Sequence, residues 1–454
     1  MSEDSMSVEA GYPAVPMGRQ MGATMQWGLL GPEQLAGSRR TRTLGLGAAV
    51  RKFNQLAVPG VGGVWFAKQI VLATLGVRIA DRLRPISANV KAIEIANAVE
   101  ALACWCAFRS NDWTSDARLR GSQKLAGTDD LTFSRLRQPR FYVTQPMRMA
   151  TVEALVDLGF VEPGSQRFNS FRCTQAGIDL IEAATVAYRP YNATVEDYLL
   201  GRARDGGAIK DTDKLRDALS PLIVLPPDAR TFVRDKLCEG AGQNPDAARR
   251  KNALGWIGSL DVRNPAGWEA KPSILDADHW DELRLGAWFF STRDAAIDVL
   301  NAIEAQMAPL AAPKLTADSA YKLSPVQTRL EMVRKAAQRF LDENKDPTEE
   351  RMATAFCREC IEEDSSTIIQ NLVKRDDRVL RLVGNDVLPG GAFSRQPQVE
   401  TPDEEGEGPG SDNAGRVPVP ADISGRIRNL YLLNLDLEGQ LAEFLNPPAD
   451  EEAA

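Results

Sequence analysis

The sequence predicts a mainly α-helical chain with short β-hairpins, and three observations predict it. Apolar residues recur three or four apart over long stretches, as in Ile93, Ile95, Ala96, Val99, Leu102 and Ala103. Strand-like runs are few, short and bounded by turn-forming residues, as at Phe160-Val161-Glu162 before Pro163-Gly164. A stretch carrying Glu400, Asp403, Glu404, Glu405, Glu407 and Asp412 has Gly and Pro interspersed and no basic residue, so it cannot bury apolar surface and is expected to be a disordered acidic linker.

A chain of 454 residues is long enough for two or three domains with cores of their own. Its six cysteines, at 104, 106, 173, 238, 357 and 360, are scattered, and no secretory signal precedes them. That pattern suits a reducing compartment, and a cytoplasmic location is expected. The most apolar stretch, Val58 to Val77, is interrupted by Lys68 and Gln69 and holds four glycines and a proline, which suits a buried segment rather than a bilayer span. No membrane partner is expected.

The net charge of -8 conceals an asymmetry. Residues 18–92 hold eleven Lys or Arg (19, 39, 40, 42, 51, 52, 68, 78, 82, 84 and 91) against Glu33 and Asp81. Few acids lie nearby in sequence, so this front is expected to present positive potential to a polyanion. Arg39, Arg40 and Arg42 are its candidate DNA contacts, in a flexible arm over residues 1–43. Trp65, Phe66, Trp105 and Trp113 interleave with the basic residues and suit stacking on bases or, more simply, core packing.

Behind the arm, a helical domain is expected over residues 44–190, with helices over 64–83 and 90–108. Its most informative part starts at Thr144, a helix cap before a stripe of Met149, Val152, Leu155 and Val156. Gly159 closes that helix. A short strand at Phe160-Val161-Glu162, a turn over residues 163–166, a returning strand over 167–173 and a helix from Thr174 to Ala187 complete it. Residues 144–187 resemble the wing region of winged helix-turn-helix proteins of the MarR-like kind. In that family the helix before the wing enters the major groove, which implies DNA contacts from Gln145, Arg148 and Thr151, and from Arg167 on the wing. Pro146 departs from the pattern, being tolerated only in a first helical turn.

A helical bundle is expected over residues 195–315, with helices at Thr212 to Leu219, Asp228 to Leu237, Asp246 to Leu260 and Asp278 to Met307, and caps at Thr212, Asp228 and Asp278. A second helix-turn-helix domain is expected over 324–390. Its first stripe is Leu330, Val333, Ala337 and Phe340, Thr348 caps a short helix through Phe356, and Asp364 caps a third helix holding Ile368, Ile369, Leu372 and Val373. Val379 to Leu382 reads as a wing strand. Thr367, Gln370, Asn371 and Lys374 face outward on the third helix, a polar set suited to base edges or phosphates, and Gln370, Asn371 and Lys374 are candidate DNA contacts. The acidic linker spans 391–421. An amphipathic docking helix follows over 422–446, with Ile427, Leu430, Leu433 and Leu437 as candidate contacts to a partner or to the body of the chain.

Catalytic chemistry finds little support. The single histidine, His279, rules out a His-containing triad with a second base and any His-rich metal site. The Gly-rich runs at 45–47 and 60–63 lack the Lys-Ser/Thr of a phosphate-binding loop. Cys357 and Cys360 form a Cys-x-x-Cys without a second pair, and on a helix such cysteines face the core. Glu269-Ala270-Lys271 matches the Glu-x-Lys of one nuclease class, with Asp261 as an upstream carboxylate, yet its neighbours read as loop rather than buried strand. No cofactor, no metal and no enzymatic activity are expected.

The leading expectation is a bacterial-style, DNA-associated accessory protein of a multi-protein system, of the kind found in anti-phage defence or chromosome maintenance. Its partners would be double-stranded DNA and a protein subunit such as an ATPase. The layout also resembles kleisin-like subunits of bacterial condensins, in which winged helices dock proteins. A transcription regulator with a ligand pocket in the middle bundle is a third reading.

Overall fold

In the computed structural model, residues 42–87, 89–165, 167–240, 246–261, 266–395, 417 and 419–447 are described. Arg39, Arg40 and most of the expected acidic linker, including all of its acids from Glu400 to Asp412, lie outside them. The described residues are mainly helical, with two small antiparallel sheets.

The order begins with α1 (Gly47–Ala57), α2 (Ala67–Leu83) and α3 (Ala92–Ser110), followed by single-turn helices α4 (Ser122–Leu125) and α5 (Phe133–Leu136). Helices α2 and α3 pack as a close pair. They approach at Gly76, where an added Cβ would sit 2.6 Å from the Cα of Ala96, so a larger residue here would drive the helices apart. A 3-10 turn, Met147–Thr151, leads into α6 (Val152–Asp157), β1 (Val161–Pro163), β2 (Phe171–Cys173) and α7 (Gln175–Thr185). Strands β1 and β2 pair with Val161 opposite Cys173 and Pro163 opposite Phe171.

This order of helix, Gly, hairpin and helix is the one read from the sequence, with local corrections. Gly159 closes α6 at φ +79, and Thr174 caps α7 by accepting the Gly177 N–H at 3.1 Å. Thr144 makes no cap. Pro146 holds an extended conformation, so the helical turn starts only at Met147. The returning strand is shorter than expected because Phe168–Ser170 form a 3-10 turn.

Helices α8 (Val195–Asp205), α9 (Asp213–Leu219), α10 (Pro227–Glu239), α11 (Asp246–Ile257) and α12 (Ala266–Glu269) follow. Thr212 caps α9 as expected. Helix α10 instead starts on Pro226-Pro227. The cap of the next helix is Asp276, which accepts the His279 N–H at 2.6 Å, rather than Asp278. That helix, α13 (Ala277–Met307), is 31 residues long and therefore ~46 Å.

The second sheet combines β3 (Leu315–Thr316), β4 (Leu380–Val383) and β5 (Asp386–Pro389) in the order β3-β5-β4. Between β3 and β4 run α14 (Ala317–Ala320), α15 (Ser324–Asp342), α16 (Met352–Cys360) and α17 (Ser365–Asp376). The expected wing strand is β4. Thr348 accepts the Ala353 N–H at 3.1 Å, so it serves the start of α16 from across a 3-10 turn. The chain closes with α18 (Arg426–Glu438) and α19 (Leu441–Leu445), two helices where one was expected, separated at Gly439 with φ +80.

Two apolar cores result. The first gathers α2, α3, the β1–β2 hairpin, α7 to α11 and α18. The second gathers α15, α16, α17 and the three-stranded sheet. Their division does not follow the expected domain boundaries, because α1 and α13 enter both. Trp280 and Leu283 of α13 belong to the first core, and Phe289, Val299, Leu300 and Ile303 to the second. Ala57 and Phe53 divide α1 in the same way. All described residues belong to one compact unit. Among them, no helix is long and apolar enough to cross a membrane.

Candidate functional site

The first candidate surface is the outward side of the helix before the β1–β2 hairpin. Its expected DNA contacts do not reach that surface. Arg148 is buried, its backbone N–H donates to Glu100 Oε1 at 2.9 Å, and its Nη1 lies 3.4 Å from Asn97 Oδ1 and 3.6 Å from Glu100 Oε2. Glu100 is fully buried on α3 and also accepts the Tyr142 hydroxyl at 2.6 Å. Burial raises its carboxyl pKa, against the pull of Arg148. Thr151 is fully buried and donates its hydroxyl to the Arg148 carbonyl at 2.9 Å. Gln145 is half-buried. The reading of Arg148 and Thr151 as DNA contacts is corrected: a 3-10 turn rotates them inward, where Glu100 holds the guanidinium.

The surface left outside is instead an apolar groove of about 340 Å³, with Val143, Pro146, Met149, Val152 and Phe168 along it and Arg137 and Arg140 at its edge. Met149 is 44% exposed. The hairpin does not project freely: Arg84 donates to the carbonyls of Asn169 and Phe171 at 2.9 and 3.2 Å, and Asn169 Oδ1 accepts the Ile93 N–H at 2.9 Å. Arg167 is exposed at its turn, as expected.

Among the described residues, the basic front of the sequence does not form an open positive face. Arg42 is buried in the second core, bridging Glu304 at 2.9 Å and Asp376 at 3.1 Å, with Asn301 also accepting from it. Its reading as a DNA contact is corrected on that ground. Lys68 is buried against the Ala218 carbonyl, and burial lowers its pKa to about 8, with Asp436 and Asp217 opposing. Arg78 and Arg82 pair with Glu196, and Arg82 also with Asp197. Arg84 pairs with Asp81 and Lys91 with Glu94. Arg51, Lys52 and Lys91 stand exposed among the described members, and of these Lys91 has Glu94 beside it. The acids that neutralise the front come largely from more than a hundred residues away, which the sequence count could not register.

The second candidate surface is α17 with its hairpin. Asp364 caps the helix, accepting the N–H groups of Ser366 at 3.1 Å and Thr367 at 3.2 Å. Hydrogen bonds from the Ser366 and Thr367 side chains, with those amides, hold its carboxyl at about 2. Ile368, Ile369, Leu372 and Val373 are buried, which turns Thr367, Gln370, Asn371 and Lys374 outward as the sequence predicts. Gln370 Nε2 donates to Asn385 Oδ1 at 3.1 Å and so ties the helix to the β4–β5 turn. Lys374, Arg378 and Arg381 are exposed, and none has an ion-pair partner among the described residues. Arg378 and Arg381 were absent from the expected set. For Arg381 the signal was the apolar pair Leu380 and Leu382 on either side of it, which leaves it on the solvent face of a strand.

The C-terminal helix is docked on its own chain. Ile427, Leu430, Leu433 and Leu437 are all buried in the first core; of the two readings left open, they meet the body of the chain, so their reading as contacts to a partner is corrected. Asp436 fastens the helix by accepting the Ala67 N–H at 2.8 Å at the start of α2.

The remaining candidates for chemistry are structural. His279 is buried, its Nε2 within 2.9 Å of the Ala57 carbonyl, and burial lowers its pKa. Cys357 and Cys360 face the second core; burial pushes Cys357 up to about 12 and Cys360 well up. Among the described residues no group of His, Cys, Asp and Glu is arranged to hold a metal ion. Glu269 ends a single-turn helix and Lys271 lies exposed beyond it. No family model, curated protein or solved structure matches the chain.

Proposed function

We propose that the chain is a DNA-associated accessory protein that contacts duplex DNA through the outward face of α17 and the adjoining hairpin, used as a winged helix. The observation that carries this reading is that Lys374 on α17, Arg378 just past its end and Arg381 on the strand that follows are all exposed, with no acidic partner among the described residues. A helix of this length can present Asn371 and Lys374 to the major groove, and the cations that follow it suit phosphates. Gln370 is held against the turn by Asn385, so it sets the angle between helix and wing and leaves base reading mainly to Asn371.

A small cationic set supplies modest affinity with a marked salt dependence. Binding of the full-length chain to a labelled random-sequence duplex over a salt series tests the reading: log affinity should fall linearly with log salt. A salt-insensitive or absent interaction would remove it.

A further inference from the structure

The groove on the first core has the opposite chemistry to α17. Its walls are Val143, Pro146, Met149, Val152 and Phe168, and Ile93 beside them is 38% exposed. Exposed apolar surface gathered in a concavity marks a place where another molecule is covered. The edge is basic. Arg137 and Arg140 are exposed and have no ion-pair partner among the described residues, while Glu94, which also lines the groove, is paired with Lys91.

The edge is also fixed in place. Arg140 adopts φ +61, an uncommon conformation for a residue with a side chain, and its carbonyl accepts Lys124 Nζ at 3.0 Å. Lys124 is itself exposed and adds a third positive charge nearby. At the groove's floor, Asn97 and Arg148 belong to a buried set with Glu100 and Tyr142 that holds the loop and the 3-10 turn together.

We propose that this groove docks an acidic amphipathic segment of a protein partner, its apolar side chains against Met149 and Val152 and its carboxylates on Arg137 and Arg140. Nucleic acid fits poorly, because the floor presents few groups to bases or phosphates. A segment with apolar residues three or four apart and acids beside them matches both the floor and the edge. The groove belongs to the first core and α17 to the second, so this proposal is independent of DNA contact.

The test is selection of displayed random peptides on the full-length chain, followed by binding of a synthetic version of the enriched sequence. Enriched peptides are expected to pair apolar residues at helical spacing with Asp or Glu. Arg137→Glu with Arg140→Glu should weaken the peptide by about tenfold or more, Met149→Arg should abolish binding, and a peptide with its acids changed to Lys should regain affinity for the Glu variant. Both sites are exposed, so circular dichroism should show the fold retained. Lys374→Glu, Arg378→Glu should leave peptide binding unchanged. No enrichment, enriched peptides lacking acids, or equal binding by wild type and the Arg137/Arg140 variant would overturn the proposal.

Discussion

Arg148 and Glu100 form a buried pair: Nη1 lies 3.6 Å from Oε2, and the same carboxylate takes the Arg148 N–H at 2.9 Å and the Tyr142 hydroxyl at 2.6 Å. A side chain in the position of a DNA-reading arginine therefore works as an internal brace. Removing one partner of a buried pair strands the other charge, at a cost of about 3–5 kcal/mol. Arg148→Ala should lower unfolding stability by that order in urea titration and leave DNA affinity unchanged. Adding Glu100→Gln should restore part of the loss. Unchanged stability with weakened DNA binding would return Arg148 to the interface.

Arg42 plays the same part in the second core, between Glu304 and Asp376. Arg42→Met should destabilise by about 3–5 kcal/mol. It shares no partner with Arg148, so the double variant should lose roughly the sum of the two. A strongly non-additive result would show that the cores are coupled through α13.

The C-terminal helix offers a third measurement. Leu430 and Leu433 are buried within the first core, so each changed to Ala should lower stability by about 2–5 kcal/mol in the same titration. A loss below 1 kcal/mol, about the effect of a surface change, would show the helix to be detachable.

Stability should fall at alkaline pH. Burial raises the thiols of Cys104, Cys173 and Cys357 to about 12, against an ordinary value near 9. A raised folded value means that the unfolded chain gives up these protons first, so their contribution is full below pH 9 and is lost as pH climbs toward 12. Lys68, lowered to about 8, opposes with one group, since its burial in the charged form becomes less costly above pH 8. Denaturation midpoints at pH 8 and 10 check the balance, with the lower midpoint expected at pH 10. A thiol reagent at pH 8 should leave Cys104, Cys106, Cys357 and Cys360 unmodified until the chain unfolds.

Much of this fold was legible in local patterns. The order from Gly159 through Thr174, the outward row on α17 and the helices after Thr212 follow from caps, glycines and apolar spacing, which depend on residues a few positions apart. What was not legible depended on distant ones. Whether Arg42, Arg78 and Arg148 face water is decided by Glu304 and Asp376, by Glu196 and by Glu100. The strand β3 is too short to show periodicity, and it exists because β5 pairs with it. Helix α18 carries the stripe of a docking helix, and a stripe does not say which surface receives it. The apolar groove was hidden for a related reason. Met149 and Val152 were placed on the buried stripe, and the 3-10 turn over Met147–Thr151 turned Met149 outward and left Val152 half-buried.

The central claim is that α17 and its hairpin contact DNA, and charge reversal there tests it most directly. Wild type and a Lys374→Glu, Arg378→Glu, Arg381→Glu variant should be titrated against one labelled duplex across a salt series. Each lost phosphate contact lowers the salt slope by about one. The account predicts a slope reduced by roughly two to three, with binding near background at physiological salt. Equal affinity and equal slope for the two proteins would contradict it.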